Sequence, residues 1–415
     1  MNNMNQFKLK NEVDYIKGFA FSSKDFISDD SQPMVVRVSN FTLDSITKDE
    51  AVFIRQSDKY EKYKLHKGDI LIQTVGSWAN NPNSIVGKIV RVPTECENSY
   101  LNQNIVKIIS RGIDSTYLYY CLKANKFPIY CVMRGQGAAN QASITLDTIF
   151  RFKFYAHKNR EIQKRISNIL SAYDDLIENN TKRIRLLEQI AENLYKEWFV
   201  RFRFPGHEIA EFENGIPKGW EYVKFEDILS FDRGISYSSE EIDCDDGLNL
   251  INLKNIDSFG GFRRDGTKKY NGKYKENQVV KKGDLVIGVT DMTQDRRTVG
   301  AAALIPTLEG LSVISADLVK VVSNIPNIYL YSLCRYGFYS KYFSQFANGA
   351  NVLHLKPGAL LNKKVLLPTK DLIDAFVEKV SAIIELIDEL NLANDNLIKQ
   401  RDLLLPRLMS GKLEV

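Results

Sequence analysis

The sequence predicts an α+β chain of two similar globular domains, joined by two long antiparallel coiled-coil helices and related by a pseudo-two-fold internal repeat. Two observations carry this. Ordered segments of the first half recur in the second at a nearly constant offset, and each half closes on a long apolar stripe at helical spacing. At 415 residues, with 44% hydrophobic and 26% charged, the composition is that of globular protein, and the length allows two to four domains.

The repeat runs through both halves in order. Lys17-Gly18-Phe19-Ala20-Phe21-Ser22-Ser23 matches Arg233-Gly234-Ile235-Ser236-Tyr237-Ser238-Ser239. Val36-Arg37-Val38-Ser39-Asn40-Phe41 then matches Ile251-Asn252-Leu253-Lys254-Asn255-Ile256, and Lys67-Gly68-Asp69-Ile70-Leu71-Ile72 matches Lys282-Gly283-Asp284-Leu285-Val286-Ile287. Val86-Gly87 and Pro93 answer Val299-Gly300 and Pro306, and Gln136-Gly137-Ala138 answers Asn348-Gly349-Ala350. Gly234 follows Gly18 by 216 positions, Gly283 follows Gly68 by 215, Gly300 follows Gly87 by 213 and Gly349 follows Gly137 by 212. Chance matches would not keep order with so little drift, so the chain is a duplication. Ile70–Ile72 and Leu285–Ile287 each follow a Gly-Asp turn and read as buried strands. Asp69 and Asp284 have a catalytic reading, but a turn aspartate bonding its own backbone is the simpler one. Gly18 and Gly234 read as turn or strand-opening glycines.

The first stripe is Ile162, Ile166, Ile169, Tyr173, Leu176, Leu187, Ile190 and Leu194, interrupted at Asn180 and Arg183. The second is Ile373, Val377, Val380, Ile384, Ile387, Ile398 and Leu405, interrupted at Asn391, Asn394 and Arg401. Alternating steps of four and three over about 36 residues predict coiled-coil helices roughly 54 Å long. Asn391 follows Asn180 by 211 positions, and both lie near mid-helix. In an antiparallel pair they would meet and fix register at some loss of stability; facing solvent or a partner protein is the other reading. The first helix ends in the aromatic run Tyr195-Lys196-Glu197-Trp198-Phe199-Val200-Arg201-Phe202-Arg203-Phe204, a packed junction that Pro205-Gly206 closes. The boundaries expected are therefore a first domain at 1–160, helix 161–200, linker 201–218, a second domain at 219–370 and helix with tail at 371–415.

Charge and cysteine usage narrow little. Net charge is +5, from 56 Lys+Arg against 51 Asp+Glu, which permits nucleic-acid binding without demanding it. Cys96, Cys121, Cys131, Cys244 and Cys334 form no C-x-x-C, and His66, His157, His207 and His354 have no ligand spacing with them, so buried thiols in a reducing cytoplasm and no metal are expected. Met1 to Lys10 is polar, and no run is long enough to span a bilayer, so neither secretion nor membrane association is expected.

The aromatic junction, the Gly215-Ile216-Pro217-Lys218-Gly219-Trp220 opening of the second domain, the two Lys-Gly-Asp strands and the C-terminal Gln400-Arg401-Asp402-Leu403-Leu404-Leu405-Pro406-Arg407-Leu408-Met409-Ser410-Gly411-Lys412-Leu413 together resemble the specificity (S) subunit of type I restriction–modification systems. The resemblance spans nearly the whole chain. It implies target recognition domains that each read half of a bipartite site in double-stranded DNA. It also implies that the long helices act as a spacer and as the dock for methyltransferase (M) subunits, two being expected. Restriction (R) subunits would join for cleavage. S-adenosylmethionine, ATP and Mg2+ would belong to those partners and no cofactor to this chain. The chain would open directly in the first recognition domain.

Motifs for independent catalysis fail. Asn81-Pro82-Asn83-Ser84 lacks the Pro and aromatic residue of an adenine-methyltransferase motif, and Gly266 to Gly272-Lys273-Tyr274 has five intervening residues and no Ser/Thr, so it is not a phosphate loop. A non-catalytic subunit follows.

Candidate DNA contacts lie in loops. After the first Lys-Gly-Asp strand come Thr74, Ser77, Trp78, Asn80 and Asn81; their counterparts are Thr290, Thr293, Arg296 and Arg297. Both loops are polar and unlike each other, as readers of different half-sites would be, though ordinary loop drift gives the same result. Arg suits guanine edges, Asn and Gln adenine edges. Arg263, Arg264, Lys268 and Lys269 belong to the most basic local run and suit phosphates, or simply a solvated face. Ser22, Ser23, Ser238 and Ser239 are further backbone candidates. Gln136, Asn140 and Gln141, with Asn348, Asn351 and His354, form a second loop pair. The alternatives are a stand-alone DNA-binding or adaptor protein on the same scaffold, and an enzyme with an unrecognised centre.

Overall fold

The structure, a computed structural model, describes residues 4–78, 84–137, 141–242, 246–292 and 295–415. It forms two compact units, residues 1–179 with 394–415 and residues 180–393.

In the first unit, Met4–Lys8 pairs antiparallel with Lys153–His157, so the start of the domain is stitched to its end. A four-stranded antiparallel sheet follows the order Val13–Lys17, Ile105–Ser110, Ile70–Gln73, Ile89–Arg91. Val35–Val36 and Tyr100–Leu101 pair in parallel beside it. Helices Ser115–Ala124, Phe127–Val132 and Leu146–Phe150 cover one face, and Asp114 caps the first of them through the Tyr117 amide at 2.8 Å. Ile70 and Ile72 pack toward these helices while Leu71 packs the other way, the alternation that makes the apolar run Ile70–Ile72 fully buried.

The second unit repeats the plan. Glu221–Lys224 pairs with Lys364–Leu367, and a four-stranded sheet runs Leu229–Arg233, Leu318–Ser323, Leu285–Gly288, Ala302–Leu304. Helices Asn327–Tyr336 and Tyr339–Ser344 cover it. A second four-stranded sheet, ordered Lys268–Tyr270, Leu248–Ile251, Ser312–Ile314, Val279–Val280, enlarges what is a two-stranded pair in the first unit.

The local signals behave as physical chemistry requires. Asp69 Oδ2 accepts from the His66 amide at 2.8 Å and Asp284 Oδ2 from the Lys281 amide at 3.0 Å, so both are turn aspartates. Each also holds a lysine from the neighbouring strand, the buried Lys107 at 2.8 Å and the half-buried Lys320 at 2.9 Å. Gly18 and Gly234 directly follow the strands Val13–Lys17 and Leu229–Arg233, so they close strands rather than open them, and the need for glycine is steric: a Cβ there would lie 1.9 Å and 2.0 Å from the carbonyl oxygens of Asn102 and Ser315. Cys121, Cys131 and Cys334 are buried free thiols and Cys96 is buried; Cys244 lies outside the described residues. Burial pushes the Cys334 thiol up to about 12.

The long helices are Arg160–Tyr195, prolonged by one π-helical turn at Lys196–Val200, and Lys370–Met409. In each unit a part of one runs antiparallel to a part of the other. Ile166 and Leu170 share a core with Leu405, Leu408 and Met409 in the first unit; in the second, the Tyr195 ring meets Phe376 edge-on and the Trp198 ring meets it tilted, at 6.0 and 5.9 Å between centroids. The aromatic junction is packed as expected: Phe199, Phe202 and Phe204 all contact the Trp220 ring.

The seam itself needs correction. Ile169, Leu176 and Ile190 are exposed, and the buried face runs through Gln163, Ile166, Ser167 and Leu170, then Ala191, Tyr195 and Trp198. The reason is polar. Gln163 accepts from the Asp114 amide at 2.9 Å and donates to the His157 carbonyl at 2.7 Å, and Ser167 donates to the Asp114 carboxylate at 2.7 Å. The helix therefore buries a polar face against its own domain, rotated from the apolar stripe. Asn391 is half-buried and donates to the Ile387 carbonyl one turn back at 3.0 Å; Asn180 is half-buried too.

Candidate nucleic-acid interface

Strand pairing joins the two loop sets that the sequence holds about sixty residues apart. In the first unit, Val75–Gly76 pairs antiparallel with Ala142–Ser143, and Gln136 and Ser143 exchange backbone bonds of 2.8 and 2.7 Å. In the second, Thr290–Asp291 pairs with Leu353–His354, and Asn348 and His354 exchange bonds of 3.0 and 2.9 Å. Each unit thus presents one ribbon carrying both of its candidate loops. Gly137 and Gly349 turn the ribbon at φ 149° and 152°, where a Cβ would lie 2.0 and 1.9 Å from the Gln141 and Val352 carbonyl oxygens. That is a backbone need for glycine, shared by both halves.

Side chains on the ribbons differ in kind. Gln136, Gln141 and Ser143 are exposed in the first unit, and Asn348, Asn351 and His354 in the second. Thr74 is held inward, its hydroxyl donating to the Asn104 carbonyl at 2.8 Å, and Trp78 is half-buried against the core. Ser77 donates its amide to the Ser84 carbonyl. Thr290 is buried. Asp291, buried beside it, accepts from the Thr298 and Val299 amides at 2.7 and 3.3 Å and shapes the loop from within. Arg296 reaches the Ser344 and Gln345 carbonyls at 3.4 and 3.3 Å, and Arg297 pairs with Asp295 at 2.9 Å. Asn80, Asn81, Asn140 and Thr293 lie outside the described residues.

The remaining candidates are apart from the ribbons in sequence and serve local roles. Ser22 caps a short turn through the Lys24 amide at 3.3 Å, with Ser23 exposed beside it. Ser238 is bonded through both amide and hydroxyl to the Glu241 carboxylate at 2.8 and 3.1 Å, an anion that would repel a phosphate there; Ser239 is exposed. In the basic run, Arg263 pairs with Asp265 at 3.1 Å, Lys269 donates to Asn249 at 3.1 Å, and Lys268 sits half-buried in a strand. Arg264 is mostly buried against Asp388 and donates to the Thr307 carbonyl at 2.9 Å.

Two cations were not singled out in sequence. Arg134 lies 4.1 Å over the Tyr130 ring, two residues before Gln136, and Lys363 lies 4.0 Å over the Phe346 ring, two residues before Asn348. Tyr130 and Arg134 share helical spacing, which is the signal that could have found the first; the Lys363–Phe346 contact is tertiary and left none. Among the described residues no group of three His, Cys, Asp or Glu is placed to hold a metal ion, and no helix is long and apolar enough to cross a membrane.

A duplicated scaffold whose two halves agree in strands, turns and internal ion pairs, and differ where each presents a polar ribbon, defines a protein of two like domains with unlike exposed ribbons. The comparisons make that class particular. Residues 1–189 match the type I restriction modification DNA specificity domain. The type I restriction enzyme MjaIX specificity subunit of Methanocaldococcus jannaschii is 28% identical over 329 residues, 76% of this chain and 73% of that one. The MjaVIII specificity subunit of the same organism is 24% identical over 328 residues, 76% and 74% of the two chains. The crystal structure of the type I restriction-modification system S subunit from M. genitalium shares the fold, with a TM-score of 0.56 at 14% identity over 98% of this chain and 96% of that one. The chain is thus similar to the specificity subunits of type I restriction–modification systems, with the family match covering residues 1–189.

Proposed function

We propose that this chain reads a bipartite target in double-stranded DNA, one half through each target recognition domain, and docks methyltransferase subunits, two of them, along its long helices. The observation that carries this is the pair of ribbons: the same two-stranded frame in each unit, displaying Gln136, Gln141 and Ser143 in one and Asn348, Asn351 and His354 in the other. A two-stranded ribbon fits the major groove, where side-chain amides match adenine edges, and unlike ribbons read unlike half-sites. Arg134 and Lys363, beside the ribbons, suit phosphate contact. Exposed apolar positions on the first helix, Ile169 and Leu176 in the first unit and Leu186 and Ile190 in the second, suit a protein partner rather than water. A register pair between Asn180 and Asn391 belongs to the same reading.

The chain itself supplies no chemistry in this proposal. Methyl transfer from S-adenosylmethionine belongs to the methyltransferase subunits, and ATP- and Mg2+-dependent cleavage to restriction subunits that join them. Genome-wide methylation mapping with and without the gene tests it. A bipartite adenine-methylation motif should vanish with the gene. An unchanged methylome sinks the reading and leaves a stand-alone DNA-binding adaptor, which would still bind duplex DNA without a methyltransferase partner.

A further inference from the structure

In both units a carboxylate of the long helix accepts the backbone amide of a threonine that follows a proline. Glu178 Oε1 accepts from Thr94 at 2.8 Å. Asp388 Oδ2 accepts from the Thr307 amide at 3.0 Å and its hydroxyl at 2.6 Å. Thr94 opens a short turn at Thr94–Cys96, where the first amide has no partner within the turn itself. The two helices begin at Arg160 and Lys370, so each carboxylate stands 18 residues into its own helix. That is about 27 Å from the hinge at which the domain meets the helix. A bond so far from the hinge resists rotation of the domain about it, because a small swing there becomes a large displacement at the threonine.

The second contact is the more elaborate. Asp388 is 8% exposed, binds the Arg264 guanidinium and has Lys282 at 3.5 Å. Arg264 donates in turn to the Thr307 carbonyl at 2.9 Å, closing a ring of three residues from helix, loop and basic run. Burial alone would raise the Asp388 carboxyl; the bonds from Thr307 and Arg264 hold it below the usual carboxylate range.

We propose that Glu178 and Asp388 are positioning residues that fix each target recognition domain on its helix, and that Arg264 belongs to the second of these latches and not to the phosphate-contacting surface. This rests on the reading of the chain as a bipartite DNA reader. The probe is the bipartite duplex recovered by selecting a randomised pool on the wild-type full chain. D388A should lose about tenfold in affinity, the scale of one mis-seated base contact. The loss should fall on discrimination at one half-site only, and E178A should affect the other. D388E, which installs the residue the first unit uses, should restore binding. R264M should leave the slope of log affinity against log salt unchanged, and the R264M/D388A double variant should lose no more than D388A. A slope reduced by about 0.9 with additive losses would mark Arg264 as a phosphate contact and overturn its assignment. Equal loss at both half-sites, with thermal unfolding unchanged, overturns the positioning role. A wild-type chain that selects no sequence overturns the DNA-reading role first, and the latch with it.

Discussion

Asp44 shows how a single charge ties distant parts of one unit together. Its carboxylate meets the Lys123 ammonium at 2.6 Å and the Arg401 guanidinium, and Arg401 also holds Asp174 at 2.7 Å. Arg401, a polar break in the predicted stripe, is 3% exposed and is the centre of this network. Burial by itself would raise the Asp44 carboxyl, but Lys123 and Arg401 outweigh it and bring it to about 2. A carboxyl depressed from its ordinary 3.8 stabilises the fold above that pH and loses the contribution as pH falls through 2. The contribution is roughly 2 kcal/mol. Urea unfolding of wild type and D44N should therefore show a stability difference that is constant from pH 7 to 5 and shrinks between pH 4 and 2. A difference that persists undiminished to pH 2 would mean that Asp44 is not charged against these cations. The network also marks the reach of sequence reasoning. The turn bond of Asp69 was legible because donor and acceptor are three residues apart. The Lys107 that Asp69 holds, the partners of Arg401 and the Glu178–Thr94 bond were not, since nothing local links residues separated by 38 to 357 positions.

The long helices were legible as elements and misread as surfaces. A 4-3 apolar ruler assumes one partner, and these helices have two, a helix and a domain. Burying Gln163 and Ser167 turned Ile169 and Leu176 outward. The exposed positions are then free for another chain, and a paired experiment separates the roles. Ile166 is fully buried, so I166A should cost about 2–4 kcal/mol in unfolding free energy. Leu176 is 53% exposed, so L176D should change stability by no more than about 0.5 kcal/mol. If the helix docks a methyltransferase subunit, L176D should nonetheless weaken co-purification of the chain with that subunit by tenfold or more. Normal association by L176D with strong destabilisation would place Leu176 inside the fold and remove it from the dock. The ribbons were the opposite case: their loops were each visible as polar and divergent, but the pairing of Val75–Gly76 with Ala142–Ser143 depends on tertiary closure and left no trace in either segment alone.

At the scale of the molecule, the chain returns to where it began. Residues 394–415 belong to the first unit, and Leu405, Leu408 and Met409 share a core with Leu9, Phe154 and Ile166. The first recognition domain is therefore completed by the end of the second helix, and its boundary near residue 160 is covalently simple but not energetically separate. This decides how a domain exchange must behave. If the chain reads a bipartite target as proposed, replacing residues 1–160 with the corresponding segment of a specificity subunit should change one half of the methylated target and leave the other half intact, because the second unit keeps its ribbon, its sheets and its Asp388 contact. The exchange should succeed only with donors that keep apolar residues at the positions of Leu9 and Phe154 and an acceptor at that of Asp114, which meets Ser167 of the retained helix. A donor lacking them should unfold in the first unit, exposing Ile166, Leu170 and Leu408, and should lose all methylation rather than change it. Methylation mapping distinguishes these outcomes. If a well-folded exchange altered both halves of the target, the units would not read independently, and the duplication would describe the chain's ancestry without describing how it reads DNA.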